Sequence, residues 1–347
     1  MTPDDDGAQD VLAQALEASG FTVTRLPFGT TPNLFARRGT GGPHICFAGH
    51  TDVVPAGAAW SAGPFAGTIR DGLLIGRGAC DMKGAIAAFV AAAAAPTPGT
   101  VSLLITGDEE GPATDGTVKV LKWMESHGHT PDFCLVGEPT NPDRLGDVIK
   151  IGRRGSLNAT LTVQGTQGHV AYPHRADNPV HRLTRALSAL IAIPLDAGTA
   201  WFEPSSLQIV SIDVGNAAAN VIPAQATARL NIRFNDRHTS ATLTAWLAAA
   251  IAPHAERCTI DVQVSGESFL TEPGPWTERL SRVVLAQTGF TPRLDTGGGT
   301  SDARFIARLC PVAEFGLVGR TMHQVDEAVP VQDLRALAGI YRALLDA

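Results

Sequence analysis

The chain has 347 residues, 44% of them hydrophobic and 18% charged, with 27 Lys+Arg against 34 Asp+Glu and a formal net charge of -7. That composition is globular, excludes a disordered chain, and gives enough length for about two domains, each with its own core. An acidic chain of this kind lacks the basic footprint of a nucleic-acid or anionic-membrane binder, although a local basic pocket stays open to it.

Residues 1–10, MTPDDDGAQD, are acidic and polar, the opposite of a secretory leader with its basic start and apolar centre. Residues 11–16 read as a first helix, stopped by Gly20 and followed by a strand. Residues 45–48 are a short apolar run entering Gly49-His50-Thr51-Asp52, which predicts a buried strand with polar groups at its end. Residues 69–75 around Asp71-Gly72 predict a hairpin. The longest apolar run, residues 85–95, is alanine-rich and stops at Pro96; it is too short for a bilayer and suits a buried helix beginning at Lys83. Residues 101–106 and 133–136 are again buried strands, and they run into Asp108-Glu109-Glu110 and Glu138. Strands alternating with helices predict an α/β domain with its site beyond the carboxyl ends of the strands.

After Arg153-Arg154-Gly155 the pattern changes to a strand (157–163), a helix (179–193), two strands (207–214 and 226–234), a helix (240–251) and a last strand (259–264). This βαββαβ order is ferredoxin-like and predicts an inserted domain over residues 155–266, within a discontinuous first domain of residues 1–154 and 267–347. The chain returns to the first domain for Gly297-Gly298-Gly299-Thr300-Ser301-Asp302 and Thr321-Met322-His323. Five cysteines (Cys46, Cys80, Cys134, Cys258, Cys310) are scattered and form no CxxC pair, which predicts reduced thiols in a cytoplasmic protein.

The chemistry gathers on His50, Asp52, Asp81, Glu109, Glu110 and Glu138, with His323 joining late in the chain. Imidazole and carboxylate ligands suit zinc, cobalt or manganese, and acids this concentrated repel one another unless a cation neutralises them. Any one of these acids alone is more simply a surface loop residue; a set of them following apolar strands is not. Residues two apart in an extended segment point the same way, so Asp52 can hold one imidazole nitrogen of His50 while the other binds metal. Adjacent Glu109 and Glu110 diverge, so one can ligate while the other faces a reacting water. Cys80, beside Asp81, reads as a small buried thiol rather than a nucleophile.

Gly49-His50-Thr51-Asp52-Val53-Val54-Pro55, Gly76-Arg77-Gly78-Ala79-Cys80-Asp81-Met82-Lys83-Gly84, Asp108-Glu109-Glu110 and Val136-Gly137-Glu138-Pro139 resemble the dinuclear zinc aminoacylase/carboxypeptidase family. Gly152-Arg153-Arg154-Gly155-Ser156, Gly168-His169-Val170-Ala171-Tyr172-Pro173-His174, Asn220-Val221-Ile222-Pro223 and Gly298-Gly299-Thr300-Ser301-Asp302 are similar to those members that remove a succinyl group from diaminopimelate. The resemblance covers essentially the whole chain. It implies a zinc-peptidase-like catalytic domain with a central mixed sheet flanked by helices, a lid domain through which a homodimer forms, and two Zn2+ per subunit that Co2+ or Mn2+ can replace. Asp81 would bridge both ions, His50 and Glu138 would complete one site, and Glu110 and His323 the other. Asp52 would orient His50, and Glu109 would be the general base. His169, from the partner subunit's lid domain, would stabilise the tetrahedral oxygen. Arg153, Arg233, Asn220, Tyr172, Gly299 and Thr300 fall at positions that would clamp the substrate's carboxylates, a task to which arginine's bidentate fork is suited. From the residues alone, His169 reads equally as a solvated loop histidine and Arg233 equally as half of a surface ion pair.

The implied reaction is hydrolysis of N-succinyl-LL-2,6-diaminopimelate by a metal-activated hydroxide, in lysine and diaminopimelate biosynthesis, with no nucleic-acid or membrane partner. N-acetylornithine deacetylation or a broader aminoacylase activity is the alternative. A non-catalytic binding homologue is disfavoured by the intact ligand set. Two positions depart from the relatives' pattern: Gly319 stands where an Asn is common before the last histidine, and Ala219 where a polar residue precedes Asn220. Met1-Thr2-Pro3-Asp4-Asp5 resembles a Val-Thr-Pro-Asp-Asp stretch that follows an amphipathic first helix in relatives, which predicts a start further upstream.

Overall fold

A computed structural model describes Met1, Thr2 and residues 4–346; Pro3, within the N-terminal resemblance, lies outside the described residues. The chain forms two compact units, one of Met1–Ile151, Thr271–Asp295 and Ser301–Ala347, the other of Gly152–Leu270 and Thr296–Thr300.

The first unit is built on an eight-stranded mixed sheet. Its centre is the strands Thr100–Thr106, His44–His50 and Phe133–Val136, every residue of which is buried. Strands buried along their whole length are covered on both faces, and these three pair in parallel. Asn33–Gly39 and then Thr22–Arg25 extend one side in antiparallel pairing. On the other side Val312–Glu314 runs parallel to Phe133–Val136 and pairs antiparallel with Val148–Lys150, which Arg293–Asp295 follows in parallel. The helix Lys83–Ala93 packs on the helix Val331–Asp346, and the rings of Phe47, Phe89 and Tyr341 meet at centroid distances of 4.4–5.7 Å. Gly84 is required at the start of that helix, because a Cβ there would lie 2.3 Å from the Ala79 carbonyl oxygen. Parallel strands end on one edge, so His50 and the acids beyond Thr106 and Val136 arrive together.

The second unit holds a four-stranded antiparallel sheet in the spatial order Ser206–Asp213, Gln225–Phe234, Gly155–Gln164, Cys258–Gly266. The helices Pro179–Ile191 and Ser240–Ile251 complete a βαββαβ chain order. Alternate strand residues, Leu157, Ala159, Leu161 and Val163 with Ala228, Leu230 and Ile232, turn inward against Leu183, Leu187, Leu243 and Leu247. The first helix starts where Asn178 Oδ1 accepts the Val180 amide at 2.9 Å with Pro179 in the first turn, and the second on a Thr239/Thr242 capping box. The first of these helices stops two residues short of the predicted end at 193, at Ile191.

Candidate active site

His50 is the last residue of its strand, and its Nε2 lies 3.1 Å from Asp81 Oδ1, 3.8 Å from Glu138 Oε1 and 4.0 Å from Glu109 Oε2. His323 Nε2 lies 3.1 Å from Asp81 Oδ2 and 2.9 Å from Glu110 Oε1. The two oxygens of one carboxylate therefore face two different imidazoles. Ligand atoms of His50, Asp81 and Glu138 fall within 4.8 Å of one another, as do those of Asp81, Glu110 and His323. A third group, His50 with Glu109 and Glu110, meets the same distance and would make Glu109 a ligand instead.

The electrostatics fit a site built for cations. Burial pushes the Glu109 carboxyl up to about 8; the nearby His50 works against this, while Asp302, Glu110 and Asp81 add to it. Glu138 is driven well above the usual carboxylate range by burial and then by the charges of Asp81 and Glu109. Asp81 is itself buried, yet hydrogen bonds from His323 and His50 hold it well below that range. Burial opposes protonation of His50, but Asp81, Glu109 and Glu138 carry it well above its ordinary value. His323 is raised to about 9, first by its hydrogen bond to Asp81. Two imidazoles among four carboxylates suit borderline divalent ions, whose charge would relieve this repulsion.

Asp52 differs in its contact from the expected one. His50 Nδ1 is 3.0 Å from the Asp52 backbone carbonyl, while the Asp52 carboxylate stands 3.6 Å away. That carboxylate accepts the Thr2 hydroxyl at 2.6 Å and the amides of Glu109 at 3.3 Å and Glu110 at 3.0 Å. The strand has ended at His50, so the two-residue alternation no longer governs Asp52, and its side chain turns to the neighbouring loop. The thiol of Cys80 is pushed far up by burial and by Glu327, which removes any thiolate role.

The predicted substrate residues all belong to the second unit. His169 pairs with Val221 in a short two-stranded ribbon, its Nδ1 accepts the Ala171 amide at 3.1 Å, and its ring lies 5.7 Å from that of Tyr172. The Val170 amide donates to the Asn220 carbonyl at 3.0 Å, so His169, Tyr172 and Asn220 form one exposed cluster. Arg153 is buried, and its Nη1 donates to the Gly297 carbonyl at 3.3 Å, which ties it to the Gly297–Thr300 turn. Arg233 stands apart from both, mid-sheet opposite Ser156 and Ser206, its guanidinium made less basic by burial and by Arg154. Gly299 and Thr300 lie on the turn, Gly299 exposed and with open space where a Cβ would go. Gly319 donates its amide to Asn141, and a Cβ there would come within 3.1 Å of the Pro139 carbonyl oxygen. Among the described residues, the Arg320 side chain beside it reaches only Asp143, in an exposed contact at 3.4 Å.

Sequence reasoning missed two residues, Glu327 and Arg77, which form a buried ion pair at 2.8 Å behind Asp81. Arg77 stands inside a motif and Glu327 four residues past His323, but nothing in either segment distinguishes a buried partner from a surface charge.

The chain belongs to Peptidase family M20/M25/M40, whose pattern matches residues 46–347. It is 66% identical over 357 residues to a succinyl-diaminopimelate desuccinylase of Gluconacetobacter diazotrophicus, covering 100% of this chain and 93% of that one. The enzyme of that name from Acidiphilium cryptum is 66% identical over 349 residues (100% and 94% covered), and that from Caulobacter vibrioides 59% over 353 (99% and 92%). Among solved structures, the M20 family metallo-carboxypeptidase Sso-CP2 from Sulfolobus solfataricus superposes with a TM-score of 0.78 at 16% identity, covering 98% of this chain and 93% of that one. A dinuclear metal binding peptidase from Bacillus subtilis gives 0.69 at 16%, covering 97% and 90%. At those identities the likeness is one of fold.

Proposed function

We propose that this metal-dependent hydrolase cleaves the succinyl amide of N-succinyl-LL-2,6-diaminopimelate, releasing succinate and LL-2,6-diaminopimelate, in the cytoplasmic route to diaminopimelate and lysine. The site observation that carries the reading is Asp81, whose two carboxylate oxygens each face a different imidazole at 3.1 Å. The substrate is supported by 66% identity to desuccinylases along the full chain. Among the described residues, no helix is long and apolar enough to cross a membrane.

His50, Asp81 and Glu138 would hold one ion, and Asp81, Glu110 and His323 the second; zinc suits the donors, with cobalt or manganese as substitutes. When bound, the pair supplies Lewis acidity and a nucleophile at neutral pH. Glu109, outside both sets, takes the proton of the attacking water and returns it to the departing amine. In the metal-free site burial pushes its carboxyl up to about 8, and the charge of bound ions would lower it and leave the group able to accept that proton. Asp52 fixes both glutamates through their amides. Arg153, Arg233, Asn220, Tyr172, Gly299 and Thr300 receive the carboxylates of the substrate. Homodimers form through the second unit, whose edge strand Ser206–Asp213 exposes Val210 and Ile212. In that dimer His169 stabilises the reacting oxygen in its partner's catalytic centre.

Metal content and one substrate panel test the reading. The expected result is two ions per chain and a kcat/KM for N-succinyl-LL-diaminopimelate at least about a hundredfold above that for N-acetylornithine, or ~2.7 kcal/mol in transition-state binding. Comparable values for the two substrates would leave a general aminoacylase, and hydrolysis of neither would leave a binding protein.

A further inference from the structure

Glu327 is completely buried, and 246 positions separate it from Asp81 in the sequence. Its Oε1 accepts the amides of Cys80 at 2.9 Å and Asp81 at 3.1 Å; its Oε2 accepts the Gly78 amide at 3.0 Å and Arg77 Nη1 at 2.8 Å. Its own carbonyl accepts the Gly76 amide at 2.9 Å. Four donors on one carboxylate fill its accepting capacity, and three of them are backbone amides of the loop that ends in Asp81. Arg77 extends the connection. Its Nη2 donates to the carbonyls of Ala56 at 3.2 Å, Pro55 at 3.4 Å and His323 at 3.5 Å, and its guanidinium lies 5.3 Å from the Trp60 ring centroid. One buried ion pair thus joins the backbone of Asp81 to the backbone of His323.

The two halves of the centre are held by different means. His50 ends a strand paired on both sides, and Glu138 stands two residues past the end of one of its neighbours, so the sheet ladder places them. His323 sits in no regular element, at a left-handed φ of 62°, which the surrounding structure must impose. We propose that the Glu327–Arg77 pair is the positioning element of the His323 side: it sets the separation of Asp81 from His323, and through it the affinity for the ion shared by Asp81, Glu110 and His323. This rests on the two-ion reading above.

Glu327→Gln keeps the shape but turns one acceptor into a donor, so part of the loop's amides lose their partner. Metal-free protein is titrated with Co2+ and followed by visible absorption, with the melting temperature of the metal-free form recorded alongside. His323→Ala identifies which binding step belongs to the His323 side. In Glu327→Gln that step weakens by at least about tenfold while the other stays within about threefold, the scale on which partners of ligands tune metal sites. Both steps within threefold of wild type, whatever the melting temperature does, overturn the proposal, and so does an equal loss at both. If Glu327→Gln does not fold, Arg77→Lys serves, since it keeps the charge opposite Glu327 and loses the Nη2 contacts; the same selective loss is expected and an unchanged titration overturns it. A wild-type chain that binds fewer than two ions instead refutes the two-ion reading. A wild type with two, matched by the variant, refutes only the positioning role.

Discussion

The two units use polar residues in opposite ways. In the first, the candidate catalytic groups are packed into one another: Asp81, Glu138 and His50 are buried, and contacts of 2.9–3.1 Å bind the two imidazoles to Asp81 and Glu110. In the second, His169, Tyr172 and Asn220 are exposed and held chiefly through backbone hydrogen bonds of their loops. A site that stabilises developing charge needs fixed dipoles and charges in place beforehand, because reorganising them during the reaction would consume the gain. A surface that receives a flexible polar substrate can leave its side chains free and lose only modest entropy on ordering them. Single changes should therefore be severe at the groups that act on the reacting atoms, His169 included, and graded at the substrate-receiving side chains of the second unit.

The largest effect is expected at Glu109. Glu109→Gln should lower kcat by about two to four orders of magnitude with both ions retained, the scale of a lost general acid–base group. Loss of one ion from that variant, measured by metal analysis, would make Glu109 a ligand and exchange its role with that of Glu110. Next in size is complementation. Mixing Glu109→Gln with His169→Ala subunits should raise activity from near zero to about a quarter of wild type, since half of randomly mixed dimers carry one intact site under two-fold symmetry. Confirmed heterodimers without recovered activity would confine His169 to its own chain or remove it from the reaction.

A smaller change is expected at Asn220. Asn220→Ala should reduce kcat/KM by about tenfold or less, mainly through KM, the range of one hydrogen bond, with the melting temperature unchanged. A loss as large as that at Glu109 would erase the contrast between the units. The smallest signal is a count of protons. Without metal, His323 is raised to about 9, chiefly by Asp81, and Glu109 to about 8, chiefly by burial, so both hold protons at pH 7. Ligating histidines, His50 as well as His323, must give up their protons and neighbouring carboxyls are acidified by the incoming charge, so metal binding should release at least about two protons at pH 7. Affinity accordingly rises with pH as these groups lose their protons. Calorimetry in buffers of different ionisation enthalpy measures the count, and zero release would contradict the burial and pairing described for these two groups.

Much of the first unit's site was legible because apolar strands that end in acids are unusual in any one sequence, and the strand ends of a parallel sheet meet on one edge. The alternation of the second unit was equally legible, since Leu157, Ala159, Leu161 and Val163 display its two-residue period directly. Three things were not. Asp52 uses its carbonyl rather than its carboxylate on His50, an outcome set by where the strand stops. Thr296–Thr300 packs with the second unit between two stretches of the first, which linear boundaries drawn at 155 and 267 do not express. Glu327 reads as one more exposed acid, and its four partners lie some 250 residues away.

By itself, then, the order of residues determined the central strands of the first unit, the strands and helices of the second, and which chemical groups stand at their ends, because these follow from periodicity and from neighbours close in the chain. Tertiary structure alone decided which oxygen of Asp81 meets which imidazole, how far burial lifts Glu109, and what holds Asp81 to His323. Distances and desolvation depend on groups brought together from remote parts of the chain, and no local pattern records them.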